Sequence, residues 1–138
     1  MTQTVSPTYP DGIEPATGPA GVKALLRQER AIHLQTEFPA YMEIVARETG
    51  LPLADLLSRH RHGRVADARR IAQVLAWHWY GPALFLSEAA ALFGLYPSAL
   101  TFAQVRHRGL METDRKYAAL SSRVLMAIHK AKRERGER

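Results

Sequence analysis

A chain of 138 residues has room for one domain with a core of ordinary size, and its hydrophobic fraction of 46% excludes wholesale disorder. The formal net charge of +6 and a pI near 10.1 favour an anionic partner, nucleic acid ahead of a membrane surface. Cysteine is absent, which excludes disulfides and thiolate metal sites and fits a reducing cytoplasm.

Residues 1–20 are rich in Pro, Thr and Gly without helical period, and read as a disordered leader. The opening MTQTVSPTYPDG lacks the basic start and apolar run of a secretory signal. From Val22 onward apolar residues recur three and four apart, the helical spacing. The pattern predicts a helix over residues 21–34 and a second over 39–49, with Tyr41, Ile44 and Val45 on one face and Gly50 as its stop. Pro52 then opens a short helix through Leu53, Leu56 and Leu57. Arg59-His60-Arg61-His62-Gly63-Arg64 follows as a basic loop.

A strong helix is predicted over residues 65–80, with Ile71, Val74, Leu75, His78 and Trp79 buried and Arg69, Arg70 and Gln73 towards solvent. Trp77 and Trp79 cannot both face inward, so one of them should be partly exposed. Gly81-Pro82 ends this helix and interrupts the most apolar stretch, residues 71–86, which therefore reads as buried helix and not as a membrane span. Ser87 is placed as the cap of a helix running through Ala89, Ala90 and Leu92 to Phe93, and Gly94 as a tight turn. Pro97 begins a helix to about residue 109, with Leu100, Phe102, Ala103 and Val105 as its apolar side. The last helix, residues 113–132, carries the stripe Tyr117, Leu120, Val124, Leu125 and Ile128. It should fray into a basic tail over residues 134–138, which either tracks phosphates or is simply solvated. With no strand-like alternation, the chain reads as an all-α small helical bundle, its domain spanning residues 21–133.

Two features carry chemistry. Between Arg59 and Arg70 stand five arginines (Arg59, Arg61, Arg64, Arg69, Arg70) against one acid, Asp67. Arginine's planar fork suits phosphate and guanine edges, although such a run is also what a solvated helix start looks like. The second feature is the pair of helices around Gly94, the pattern of a helix-turn-helix whose second helix enters the major groove. That second helix is poor in charge, because residues 71–105 contain one charged residue, Glu88.

In order, LADLLSRHRHGRVADARRIAQVLAW, LSEAAALFG and SALTFAQVRHR resemble the C-terminal DNA-binding domain of the bacterial replication initiator DnaA. The likeness covers about residues 38–130. It implies that Arg61 is a basic-loop arginine entering a minor groove, drawn by the narrow groove's potential. Arg59 and Arg64 would flank it on phosphates, and Arg69 would take a backbone-contacting position, with Arg70 in place of the family's glutamine. Ser98 would be the small hydroxyl residue opening the recognition helix.

The family turn Gly-Arg-Asp-His-[Ser/Thr]-Thr-Val is here Gly94-Leu95-Tyr96-Pro97-Ser98-Ala99-Leu100. The base-reading Asp-His pair has become Tyr96-Pro97 and the second hydroxyl Ala99, so recognition of the initiator's own box is not expected. Tyr96, Pro97 and Ala99 are left to apolar contacts such as thymine methyls, while Ser98, Thr101, Arg106 and Arg108 supply the hydrogen-bonding groups. No Gly-x-x-x-x-Gly-Lys-[Ser/Thr] occurs, so an ATP-driven initiator is excluded.

Among six histidines, His60 and His62 are the closest pair, but no third ligand stands near, and no metal or other cofactor is expected. His78 reads as a hydrogen-bonded core residue. Ser87-Glu88 and Glu112-x-Asp114 read as helix-start residues, so no enzyme is expected. The expectation is a cytoplasmic, nucleoid-associated protein that binds double-stranded DNA and regulates replication initiation or transcription. The alternative is an interaction module for replication or transcription proteins that makes no sequence-specific DNA contact.

Overall fold

The structure, a computed structural model, describes residues 19–58 and 63–136. These form six helices and no strand: α1 (Pro19–Thr49), α2 (Leu53–Leu57), α3 (Gly63–Tyr80), α4 (Leu86–Leu92), α5 (Pro97–Thr113) and α6 (Arg115–Glu134). The all-α class expected from the sequence is what forms. Residues 1–18 of the expected leader, and Arg59 and Arg61, lie outside the described residues, while Pro19 and Ala20 open α1. No described helix is long and apolar enough to cross a membrane.

Two compact units divide the chain between Leu34 and Gln35, within α1. The unit that holds α2 to α6 begins at Gln35. In the first unit, the described helix exposes Val22, Leu25, Leu26 and Ile32. The sequence predicted two helices here, but α1 is continuous through Pro39. A proline inside a helix costs about 3 kcal/mol, since it has no N–H to give the carbonyl four residues earlier, here that of Gln35. Burial of Tyr41, Met42, Ile44 and Val45 on the next two turns offsets that loss, each such side chain contributing about 1.5–3 kcal/mol.

In the second unit α3 is the central helix, packed against α2, α4, α5 and α6. Its buried residues are Val65, Ala68, Ile71, Ala72, Gln73, Leu75, Ala76 and Trp79. The three alanines fall four apart, and so small a stripe lets neighbouring helices approach closely. The Tyr41 hydroxyl donates to the Ala72 carbonyl on this same face. Burial pushes the Tyr41 phenol well above its ordinary pKa, and nearby Tyr80 adds to the effect.

This face is rotated from the one expected. His78 is exposed and Gln73 is buried, while Arg69 and Arg70 are half-buried instead of solvent-facing. Hydropathy patterning missed the phase because alanine carries little hydrophobic weight, although it forms much of the contact. Trp79 is buried and Trp77 half-buried, its indole N–H donating to the Leu84 carbonyl at 2.8 Å.

Two helix starts also differ from expectation. Ser87 does not cap α4: the helix begins at Leu86, and the Glu88 carboxylate accepts the Phe85 backbone N–H at 2.8 Å. A carboxylate in the first turn also complements the helix dipole. At α6 the cap is Asp114, whose side chain accepts the Tyr117 N–H at 3.1 Å, the helix-start role read for it from sequence. α6 runs to Glu134, and residues 137–138 of the expected tail lie outside the described residues. Just beyond α6, Arg135 bonds Glu37 at 2.8 Å and lies over the Trp79 ring at 4.6 Å.

Candidate nucleic-acid interface

The segment from α4 to α5 is built by its own capping chemistry. Gly94 has φ 66°, the left-handed conformation that ends a helix. Around it the Leu95 N–H donates to the Ala90 carbonyl at 2.9 Å and the Gly94 N–H to the Ala91 carbonyl at 3.2 Å. This bond pair is the Schellman motif, which satisfies two carbonyls left over at the end of α4. Pro97 stands in the first turn of α5, where its missing N–H costs nothing.

Leu100 is the one fully buried side chain of α5. Ala103, Gln104, His107 and Leu110 flank it on the inward side and are half-buried. Ser98, Phe102, Val105 and Gly109 recur at four-three-four spacing on the opposite side and are exposed. Thr101 and Arg108 border this stripe on one side, Ala99 and Arg106 on the other, and all four are exposed. Tyr96, just before the helix, is 82% exposed, Phe102 is 77% and Val105 is 55%.

The sequence placed Phe102 and Val105 on the buried side of this helix, and the structure turns them outward. The reason is geometric: Leu100 alone defines the inward direction, and residues two and five positions on point away from it at 100° per residue. A count from the single leucine would have found them, whereas treating every apolar residue as core did not.

The arginines separate into distinct environments. Arg64, in the first turn of α3, is exposed. Arg69 instead binds α2: its Nε donates to the Leu56 carbonyl and its terminal nitrogen to the Asp55 carbonyl, each at 3.1 Å. Those carbonyls lie in the last turn of a helix of five residues, where the Asp55 carbonyl also accepts the Ser58 N–H at 3.2 Å and the Ser58 hydroxyl at 2.6 Å. Arg70 pairs with Asp67 at 3.0 Å and lies 5.8 Å from the centre of the Tyr117 ring. Both residues thus hold helices together in addition to any role at the surface.

Beneath the exposed face, His107 Nδ1 and the Tyr117 hydroxyl are 2.7 Å apart, joining α5 to α6. Burial lowers the His107 pKa, and the Arg70 charge lowers it further. On α5 the exposed hydrogen-bonding groups are few. Thr101 already donates its proton to the Pro97 carbonyl at 3.1 Å. Among the described residues, no group of three His, Asp or Glu side chains is placed to hold a metal ion.

Comparison with known protein families finds none that matches the chain, and comparison with curated proteins also finds no match.

Proposed function

We propose that this chain is a stand-alone double-stranded DNA-binding protein, with α4 and α5 as its helix-turn-helix and α5 in the major groove. One observation carries the reading. A 17-residue helix is anchored by Leu100 and a Schellman turn, and it leaves a whole face exposed with Arg106 and Arg108 on its borders. A helix held firmly from behind and open in front is what groove insertion requires.

Phosphate contacts from Arg64, and from Arg59 shortly before α3 in the sequence, would supply most of the affinity, with Arg61 between them entering a minor groove. Face residues of α5 would supply the sequence preference. Resemblance to the initiator's DNA-reading end supports a regulator of replication initiation or transcription, one without ATPase activity.

The apolar content of the same face favours a second reading, in which Tyr96, Phe102 and Val105 dock a protein of the replication or transcription machinery. A salt titration of the purified chain on a labelled duplex, beside excess random competitor, separates the two. Retained binding with a steep dependence on salt supports the DNA reading. Absence of binding at low salt overturns it in favour of a protein partner.

A further inference from the structure

We infer that α5 selects its DNA site by apolar contact with thymine C5-methyl groups, made chiefly by Phe102 and Val105. This inference rests on the DNA-binding reading above and specifies how that site would discriminate. Major-groove edges are ordinarily told apart by donors and acceptors, and paired hydrogen bonds from Arg, Asn or Gln carry most of that code. The outward stripe of α5 is Ser98, Phe102, Val105 and Gly109, with one hydroxyl and no amide. Thr101, next to it, has committed its proton to the Pro97 carbonyl. Gln104, the amide of this helix, is half-buried on the inward side.

What the face offers instead is hydrocarbon. Phe102 and Val105 lie one turn apart at its centre, and small residues stand beyond them at Ser98 and Gly109. A bulky pair between two small positions projects furthest, so it meets the groove floor first. Ala99 and Tyr96 extend the apolar surface to the start of the helix. The thymine methyl is the one apolar feature of the major-groove edge, and aromatic and aliphatic side chains recognise it by contact.

Charge decides for DNA over a protein surface as the occupant. Arg106 and Arg108 border the stripe, and α5 carries no acid before Glu112. An apolar strip between cations suits a groove of bases between two phosphate rails.

The test uses the full chain. A preferred duplex is selected from a random library, and each thymine in it is then replaced by deoxyuridine, which pairs identically and lacks only the methyl. Selected sites should contain runs of T·A pairs. Each contacted methyl removed should weaken binding about fourfold, the equivalent of roughly 0.8 kcal/mol per buried carbon. Phe102→Ala, checked for unchanged helix content by circular dichroism, should weaken binding to the thymine duplex and leave the deoxyuridine duplex unaffected. Equal affinity for the two duplexes, or selected sites without thymine, overturns the inference while DNA binding stands. Absence of duplex binding at low salt overturns the parent reading and this inference with it.

Discussion

His107 of α5 and Tyr117 of α6 meet through a contact of 2.7 Å between Nδ1 and the phenol oxygen. Tyr117 is almost fully buried, and Arg70 stands over its ring, so the contact ties α5 to both α6 and α3. Tyr117→Phe leaves the imidazole nitrogen without that partner and should cost about 1 kcal/mol. Urea unfolding monitored by circular dichroism measures the difference. An unchanged midpoint would show that the contact adds nothing to stability.

The same contact predicts acid sensitivity. Burial, and secondly Arg70, hold the His107 pKa below its ordinary value of 6.5. The unfolded chain therefore binds a proton that the folded chain resists, and stability falls as pH drops from 6.5 towards the folded-state pKa. Above 6.5 this contribution is fully present. His78, exposed overall but partly desolvated with its ring against that of His129, acts in the same direction, and the charges of His129 and Lys132 add to the effect. Denaturant midpoints between pH 7.5 and 5 (on the order of half-unit steps) should therefore decline, and His107→Gln should flatten the decline. An identical pH profile in the variant would remove His107 from the explanation.

Leu100 is the side chain by which α5 is fixed to the fold. Leu100→Ala should cost about 2–5 kcal/mol, the range for a leucine truncated in a packed core. Hydrogen exchange read by mass spectrometry should show the loss of protection concentrated in α4 and α5. Loss of less than about 1 kcal/mol would mean that the flanking residues anchor the helix without it.

Gly94→Ala probes the turn separately from the core. At φ 66° an added Cβ meets nothing within 4 Å, so the penalty is conformational and not a clash. It should amount to about 1–2 kcal/mol. Thermal unfolding would register it as a lower Tm, and DNA affinity should fall with it if α5 shifts at its first turn.

The arginines should divide between stability and binding. Arg69→Ala removes two bonds to the carbonyls of α2 and should cost about 1–3 kcal/mol of stability. Arg64→Ala, at an exposed position, should leave stability within about 0.5 kcal/mol and lower the salt slope of DNA binding by about 1. Arg61→Ala should cost about 1–3 kcal/mol of DNA affinity if that residue enters a minor groove. Paired thermal melts and binding titrations distinguish the classes. A stable but weakly binding Arg69 variant would reverse the assignment made for it.

By itself the sequence determined the helical class and the breaks at Gly50, Gly81-Pro82 and Gly94, because those depend on local chemistry. Gly94, Pro97 and Gly81-Pro82 mark turns through backbone limits that hold in any context. Asp114 marks a cap because its side-chain oxygen accepts a first-turn N–H, that of Tyr117. The helices around Gly94 were legible through their order along the chain, whereas Gly63 and Arg64, read as loop, open α3.

Only the tertiary structure decided which way each helix faces. Alanine carries weak hydropathy, so the rotation of α3 that buries Ala68, Ala72 and Ala76, exposes His78 and buries Gln73 could not be read from periodicity. Pro39 stays helical because long-range burial of Tyr41 and its neighbours outweighs a local penalty. Phe102 and Val105 face outward because their direction is fixed by where Leu100 finds its neighbours, a non-local fact. Arg69 and Arg70 look alike in sequence to Arg64, and only packing shows that two of the three bind the protein's own helices.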